Sequence, residues 1–162
     1  MIRALFFDWG NTVMEDFSLP GPMAHWDRVA WVPGAEAALQ VLSVKYPCYM
    51  ASNAPLSDEK MVLKALERVG ADIYFRKIFS SSDIGLEKPH PGFFRALFHD
   101  LPFEPHETVM IGDSYLKDIE GAKDAGMKTV FLNRNSLAGD FVKADFQIRN
   151  MSDLHETIEK FQ

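Results

Sequence analysis

Four short groups in this chain combine side chains suited to handling a phosphoryl group. They are Asp8, Ser52-Asn53, Lys88 within Gly85-Leu-Glu-Lys-Pro-His-Pro91, and Gly112-Asp113-Ser114. A carboxylate is a nucleophile, a hydroxyl donates to a phosphate oxygen, an ammonium clamps charge, and a second carboxylate ligates a metal. Each group alone has an ordinary explanation. An aspartate or serine caps a helix, Ser52-Asn53 before Ala54-Pro55 makes a turn, and lysine is usually solvated. Their meaning depends on whether the fold brings them to one place.

The pattern of elements says that it does. Apolar, β-rich runs occur at Ala4–Phe7, Cys48–Ala51, Ile78–Ser80, Val109–Ile111 and Thr129–Leu132, with a weaker one at Phe146–Ile148. Several lack polar alternation, as strands covered on both faces do. Helical stripes lie between them: Ala35/Ala38/Leu39/Leu42, Val62/Ala65/Leu66/Val69, Phe94/Leu97/Phe98/Leu101 and Leu154/Ile158/Phe161. Ser57 is the expected cap of the second stripe and Gly70 its stop, while Pro91 suits the first turn of the third. A less periodic helix follows Asp113. The alternation predicts an α/β fold, a three-layer Rossmann-like parallel sheet with helices on both faces. In such a sheet ligands bind beyond the carboxyl ends of the strands, where all four groups fall.

Bulk properties narrow the class. A chain of 162 residues is read as one domain, 1–162, with an irregular flap over about 13–33, rich in Pro and Gly. At this size roughly 70% of the unfolded surface is buried, enough for a core without staples. Net charge is −6, with no basic block, which argues against nucleic-acid or anionic-membrane partners. A single cysteine, Cys48, and no apolar run of spanning length suit a cytoplasmic protein.

The four motifs, in this order, resemble those of the haloacid dehalogenase superfamily, whose members are mostly phosphatases. The match consists of Phe6-Phe7-Asp8-Trp9-Gly10-Asn11-Thr12, Ala51-Ser52-Asn53, Lys88-Pro89-His90-Pro91, and Gly112-Asp113-Ser114-Tyr115-Leu116-Lys117-Asp118 followed by Gly121-Ala122. The resemblance implies a Mg²⁺-dependent phosphatase passing through an aspartyl-phosphate on Asp8. It implies metal ligation by the Asp8 and Asp113 carboxylates and the Gly10 carbonyl. Phosphate contacts would come from Ser52, Lys88 and the amides of Trp9, Gly10 and Asn53, with Asp118 orienting Lys88 from behind. The implied partner is a phosphorylated substrate, small or macromolecular, with a homo-oligomer as an option.

In two places the chain departs from that family. Family phosphatases carry a second aspartate two residues after the nucleophile as general acid and base, and here that position is Gly10. The spans from Asp8 to Ser52 and from Ser52 to Lys88 are short, leaving no room for a substantial cap domain. Two other readings follow: a dehalogenase-type hydrolase using Asp8 without metal, and a weakened phosphate-binding module. Asp16 and His25 lie in the irregular segment that corresponds to the family's flap, where either is a candidate proton donor, although a surface or packing role is the simpler reading of both. Trp26 and Trp31 are candidates for a substrate platform or loop anchors, and Cys48 for a core residue.

Overall fold

The computed structural model describes residues 1–162 as a six-stranded parallel sheet in the order β3-β2-β1-β4-β5-β6. The strands are β1 (Ala4–Phe7), β2 (Cys48–Ser52), β3 (Phe75–Ser80), β4 (Thr108–Gly112), β5 (Lys128–Leu132) and β6 (Phe146–Ile148). The helices are α1 (Ala35–Lys45), α2 (Glu59–Glu67), α3 (Ser81–Ile84), α4 (Pro91–Phe98), α5 (Gly121–Asp124) and α6 (Leu154–Glu159). All six expected strands form. β1 is central, paired with β2 through Leu5↔Cys48 and with β4 through Leu5↔Val109.

Side chains alternate across β1. Leu5 and Phe7 join one apolar layer with α1, α2 and α6, while Ala4 and Phe6 join the other with Phe93, Phe94 and Leu97 of α4 and Ala122 of α5. Every β1 and β4 residue is buried. Burial on both faces explains the unbroken apolar runs and gives the expected three layers.

Local details differ from the sequence reading. Helix α2 is capped by Asp58, whose Oδ1 accepts the Met61 amide at 2.8 Å, and Ser57 is instead buried, its carbonyl taking the Ser80 and Ser82 hydroxyls. The helix stops at Glu67, and Leu101 lies beyond the end of α4, packed at its edge. The unperiodic stretch after Asp113 is a π-helical turn, Tyr115–Glu120, running into α5. Its wider turn removes the 3.6-residue repeat and returns Asp118 toward Ser114.

No cap domain interrupts the sheet. Residues between β1 and α1 form an irregular strap with one 3-10 turn, Met23–His25. Arg68 at the end of α2 pins it by donating to the carbonyls of Met23, Ala24 and Trp26. No helix is long and apolar enough to cross a membrane.

Candidate active site

The chain passes β1, β2 and β3 to one side of the sheet, then crosses to β4 on the other side of β1. Asp8 and Asp113 follow the adjacent strands where that direction reverses, the usual place for a ligand crevice. The Asp8 amide donates to Ile111 at 2.9 Å, which holds the strand end against β4.

Lys88 comes from the α3–α4 loop and is 98% buried. Its ammonium donates to Asp118 Oδ1 at 2.6 Å, to the Ala51 carbonyl at 2.7 Å and to Asp8 Oδ1 at 2.8 Å. All three ammonium donors are therefore engaged. Burial alone would discharge the lysine, but the Asp118 and Asp8 carboxylates outweigh it and hold its pKa above the usual value. Asp118 spends its other oxygen on the Ser114 amide at 2.9 Å. Burial first, then the nearby Asp8 charge, push Asp118 up to about 6, against the pull of the Lys88 ammonium and the Ser114 amide. Gly112 is required here, because a Cβ would collide with the Asp118 carboxylate.

On the far side of Asp8, the Thr12 hydroxyl lies 3.3 Å from both Asp8 Oδ2 and Asp113 Oδ1. Burial first, then the Asp8 charge, push Asp113 up to about 8. Oxygens of Asp8, Asp113 and Asp118 come within 4.8 Å of one another. An all-oxygen, charge-rich set held this closely fits a hard divalent cation such as Mg²⁺. Asp118 is fully buried behind Lys88, whereas Asp8 and Asp113 are only partly buried, which makes those two the accessible carboxylate ligands.

These groups form the floor of a cleft of about 470 Å³ that also holds Trp9, Gly10, Ser52, Asn53 and Asp16. The amides of Trp9, Gly10 and Asn53 donate to no carbonyl of the chain, and no protein group bonds the Ser52 hydroxyl. The Asn53 side chain faces away, clasping the Lys88 backbone. Leu19, Pro22, Met23, Trp26 and Leu56 line the wall.

Asp8, Ser52, Asn53, Lys88, Asp113 and Ser114 thus meet in one cleft, while Gly112 packs against Asp118 without lining it. Trp26 belongs to its wall, whereas Trp31 donates to Val69 outside it. His25 is exposed and does not line the cleft. Cys48 is a buried core thiol. Sequence reasoning assigned no part to Thr12, although a hydroxyl four residues after Asp8 inside the first motif was a usable signal.

A sequence profile described as Haloacid dehalogenase-like hydrolase matches residues 22–132, more than half of the chain. The chain belongs to this family. Within it, the sequence is 31% identical over 133 residues to glyceraldehyde 3-phosphate phosphatase of Pyrococcus furiosus, covering 80% of this chain and 55% of that protein. It is 36% identical over 97 residues to pyrophosphatase PpaX of Bacillus pumilus, covering 57% of this chain and 44% of that one. The putative HAD-hydrolase YfnB of Bacillus subtilis is 27% identical over 129 residues, covering 78% of this chain and 54% of the relative. The magnesium-bound crystal structure of YfnB superposes with a TM-score of 0.81 at 19% identity, covering 97% of this chain and 98% of that one. This haloacid dehalogenase-like chain spans about half the length of the curated relatives it matches.

Proposed function

We propose that this chain is a magnesium-dependent phosphomonoester hydrolase that works through phosphorylation of Asp8. The observation that carries the reading is the setting of the Asp8 carboxylate. It sits between a buried ammonium and a second carboxylate, in a cleft that also holds a hydroxyl and three free amides. The phosphatase names of the Pyrococcus and Bacillus pumilus relatives and the magnesium in YfnB support it.

In this reading Asp8 attacks phosphorus, and the P–O bond to the leaving group breaks. Water then opens the aspartyl-phosphate and returns Asp8 as carboxylate. Ser52 and the amides of Trp9, Gly10 and Asn53 hold the phosphoryl oxygens. Lys88 offsets the charge of Asp8 as the dianion approaches, and Asp118 fixes Lys88 in place. Asp8, Asp113 and the Gly10 carbonyl would hold magnesium, which when bound neutralises charge on the phosphoryl oxygens.

We read residues 1–162 as one domain whose strap, residues 13–33, walls the cleft, and the buried lone thiol suits the cytoplasm. With no cap over it, the cleft admits small or macromolecular phosphates, and a second copy of the chain is the alternative cover.

The test is hydrolysis of p-nitrophenyl phosphate with magnesium and with excess chelator, together with acid-quenched trapping of phosphoprotein. Wild type should turn over only with metal, and Asp8→Asn should neither turn over nor trap phosphate. Full activity in chelator, or in Asp8→Asn, would sink the proposal.

A further inference from the structure

Transfer of a phosphoryl group to Asp8 sends an electron pair out on the departing oxygen. An alkyl oxygen leaving this way is strongly basic, and a positioned proton donor is worth on the order of 10²–10⁴ in rate. Gly10, two residues beyond the nucleophile, has no group to give. The space beside it is filled by another residue. A Cβ built on Gly10 would lie 3.4 Å from the Cβ of Asp16 and 3.6 Å from its Oδ2.

A tight turn brings Asp16 there. The Trp9 carbonyl accepts the amides of Thr12, Val13 and Met14, and Asn11 adopts the left-handed φ of 60° that asparagine tolerates. The Asn11 side chain then accepts the Asp16 amide at 3.0 Å, tying the returning strand to the outgoing one. The carboxyl of Asp16 is oriented by one oxygen only: Oδ1 accepts the Ser18 amide at 2.8 Å, and Oδ2, the oxygen nearest Gly10, has no partner. The neighbouring Glu15 is tied to Arg134 at 2.7 Å. Asp113 and Asp118 are held by Thr12 and Lys88, and His25 is outside the cleft. Asp16 is the one carboxyl of the cleft engaged with neither Lys88 nor Thr12.

We propose that Asp16 is the catalytic acid and base of the reaction, in the place that Gly10 leaves vacant; this rests on the phosphatase reading. In the first step the Asp8 oxygen bonds to phosphorus. The P–O bond to the leaving group breaks, and that oxygen takes both the electron pair and the proton of the Asp16 carboxyl, departing as the alcohol. In the second step the Asp16 carboxylate takes a proton from water as its oxygen bonds to phosphorus. The P–O bond to Asp8 breaks with its electron pair returning to Asp8, phosphate leaves, and Asp16 is protonated again.

The experiment measures single-turnover rates with magnesium on phosphate monoesters whose leaving groups run from nitrophenol to simple alcohols. Wild type should show a shallow dependence on leaving-group basicity. Asp16→Asn should steepen it, losing about 10²–10⁴ on alkyl phosphates and less than about tenfold on p-nitrophenyl phosphate. Asp16 is exposed, so the core is untouched by the change. Gly10→Asp combined with Asp16→Ala should recover part of the alkyl rate, because the new carboxyl grows into the space just cleared. If wild type hydrolyses the series and Asp16→Asn follows the same slope, the role of Asp16 is overturned alone. If wild type hydrolyses none of them, the phosphatase reading falls and takes Asp16 with it.

Discussion

Asn53 and Lys88 clasp each other in both directions: Asn53 Nδ2 donates to the Lys88 carbonyl at 2.9 Å, and the Lys88 amide donates to Asn53 Oδ1 at 2.8 Å. The clasp fastens the α3–α4 loop to the end of β2, so the buried ammonium is aimed by a residue that never touches it. Asn53→Ala removes both bonds, about 0.5–1.5 kcal/mol each, and should cost about 1–3 kcal/mol in urea unfolding. Displacing the lysine by even a fraction of an ångström should lower kcat on p-nitrophenyl phosphate by about 10–10², with Asn53→Asp, which keeps the acceptor, falling between. A variant with wild-type kcat would show that Lys88 is aimed without the clasp.

Lys88 is also the sole cation against two carboxylates, Asp8 and Asp118. Lys88→Met leaves Asp118 buried beside Asp8 with nothing to balance either, and breaking a buried pair in this way costs about 3–5 kcal/mol. Protonating Asp118 relieves the repulsion. The loss should therefore be larger at pH 8 than at pH 5 when denaturant midpoints are compared. An equal loss at both values would mean that the stranded carboxylates are not its cause.

Burial pushes the Cys48 thiol up to about 12. The thiolate is the reactive form, so the native protein should leave a disulfide reagent such as Ellman's unconsumed at pH 8 and react with one equivalent once unfolded. The folded pKa lies above the ordinary 9.0, so the thiol's contribution to stability is full below pH 9 and is lost as pH rises toward 12. Rapid native labelling would place Cys48 outside the core.

The strands were legible because each is a short apolar run buried on both faces, and Asp8 and Asp113 could be placed because they directly follow such runs. Lys88 was legible as a member of the cleft but its burial was not, since that depends on Asn53, 35 residues away, and on Asp118. The π turn after Ser114 carries no repeat by which to recognise it. It is visible only as a missing periodicity, yet it is what returns Asp118 beneath Gly112. Asp16 was hardest of all. Its approach to Gly10 depends on the left-handed Asn11 and three amides converging on the Trp9 carbonyl, a conformation that no hydrophobic pattern encodes.

The proximity of Asp113 to Asp8 ties metal binding to pH. Burial and the Asp8 charge raise Asp113 from its ordinary 3.8 to about 8, so the metal-free folded state keeps a proton there that the unfolded chain has already released. The sign follows: this contribution to stability is complete below about pH 4 and is lost as pH rises through about 8. Magnesium needs the carboxylate, and so must displace that proton. Its affinity should climb between pH 6 and pH 8, with close to one proton released per ion at the lower end. Thermal unfolding with saturating magnesium should show a larger rise in Tm at pH 8 than at pH 6, because the ion then compensates a repulsion that the proton no longer relieves. Asp113→Asn removes both the proton site and the ligand. It should raise the Tm of the metal-free protein at pH 8 and abolish the response to magnesium. A magnesium shift that is the same at both pH values, or one that survives Asp113→Asn, would place the ion away from Asp113.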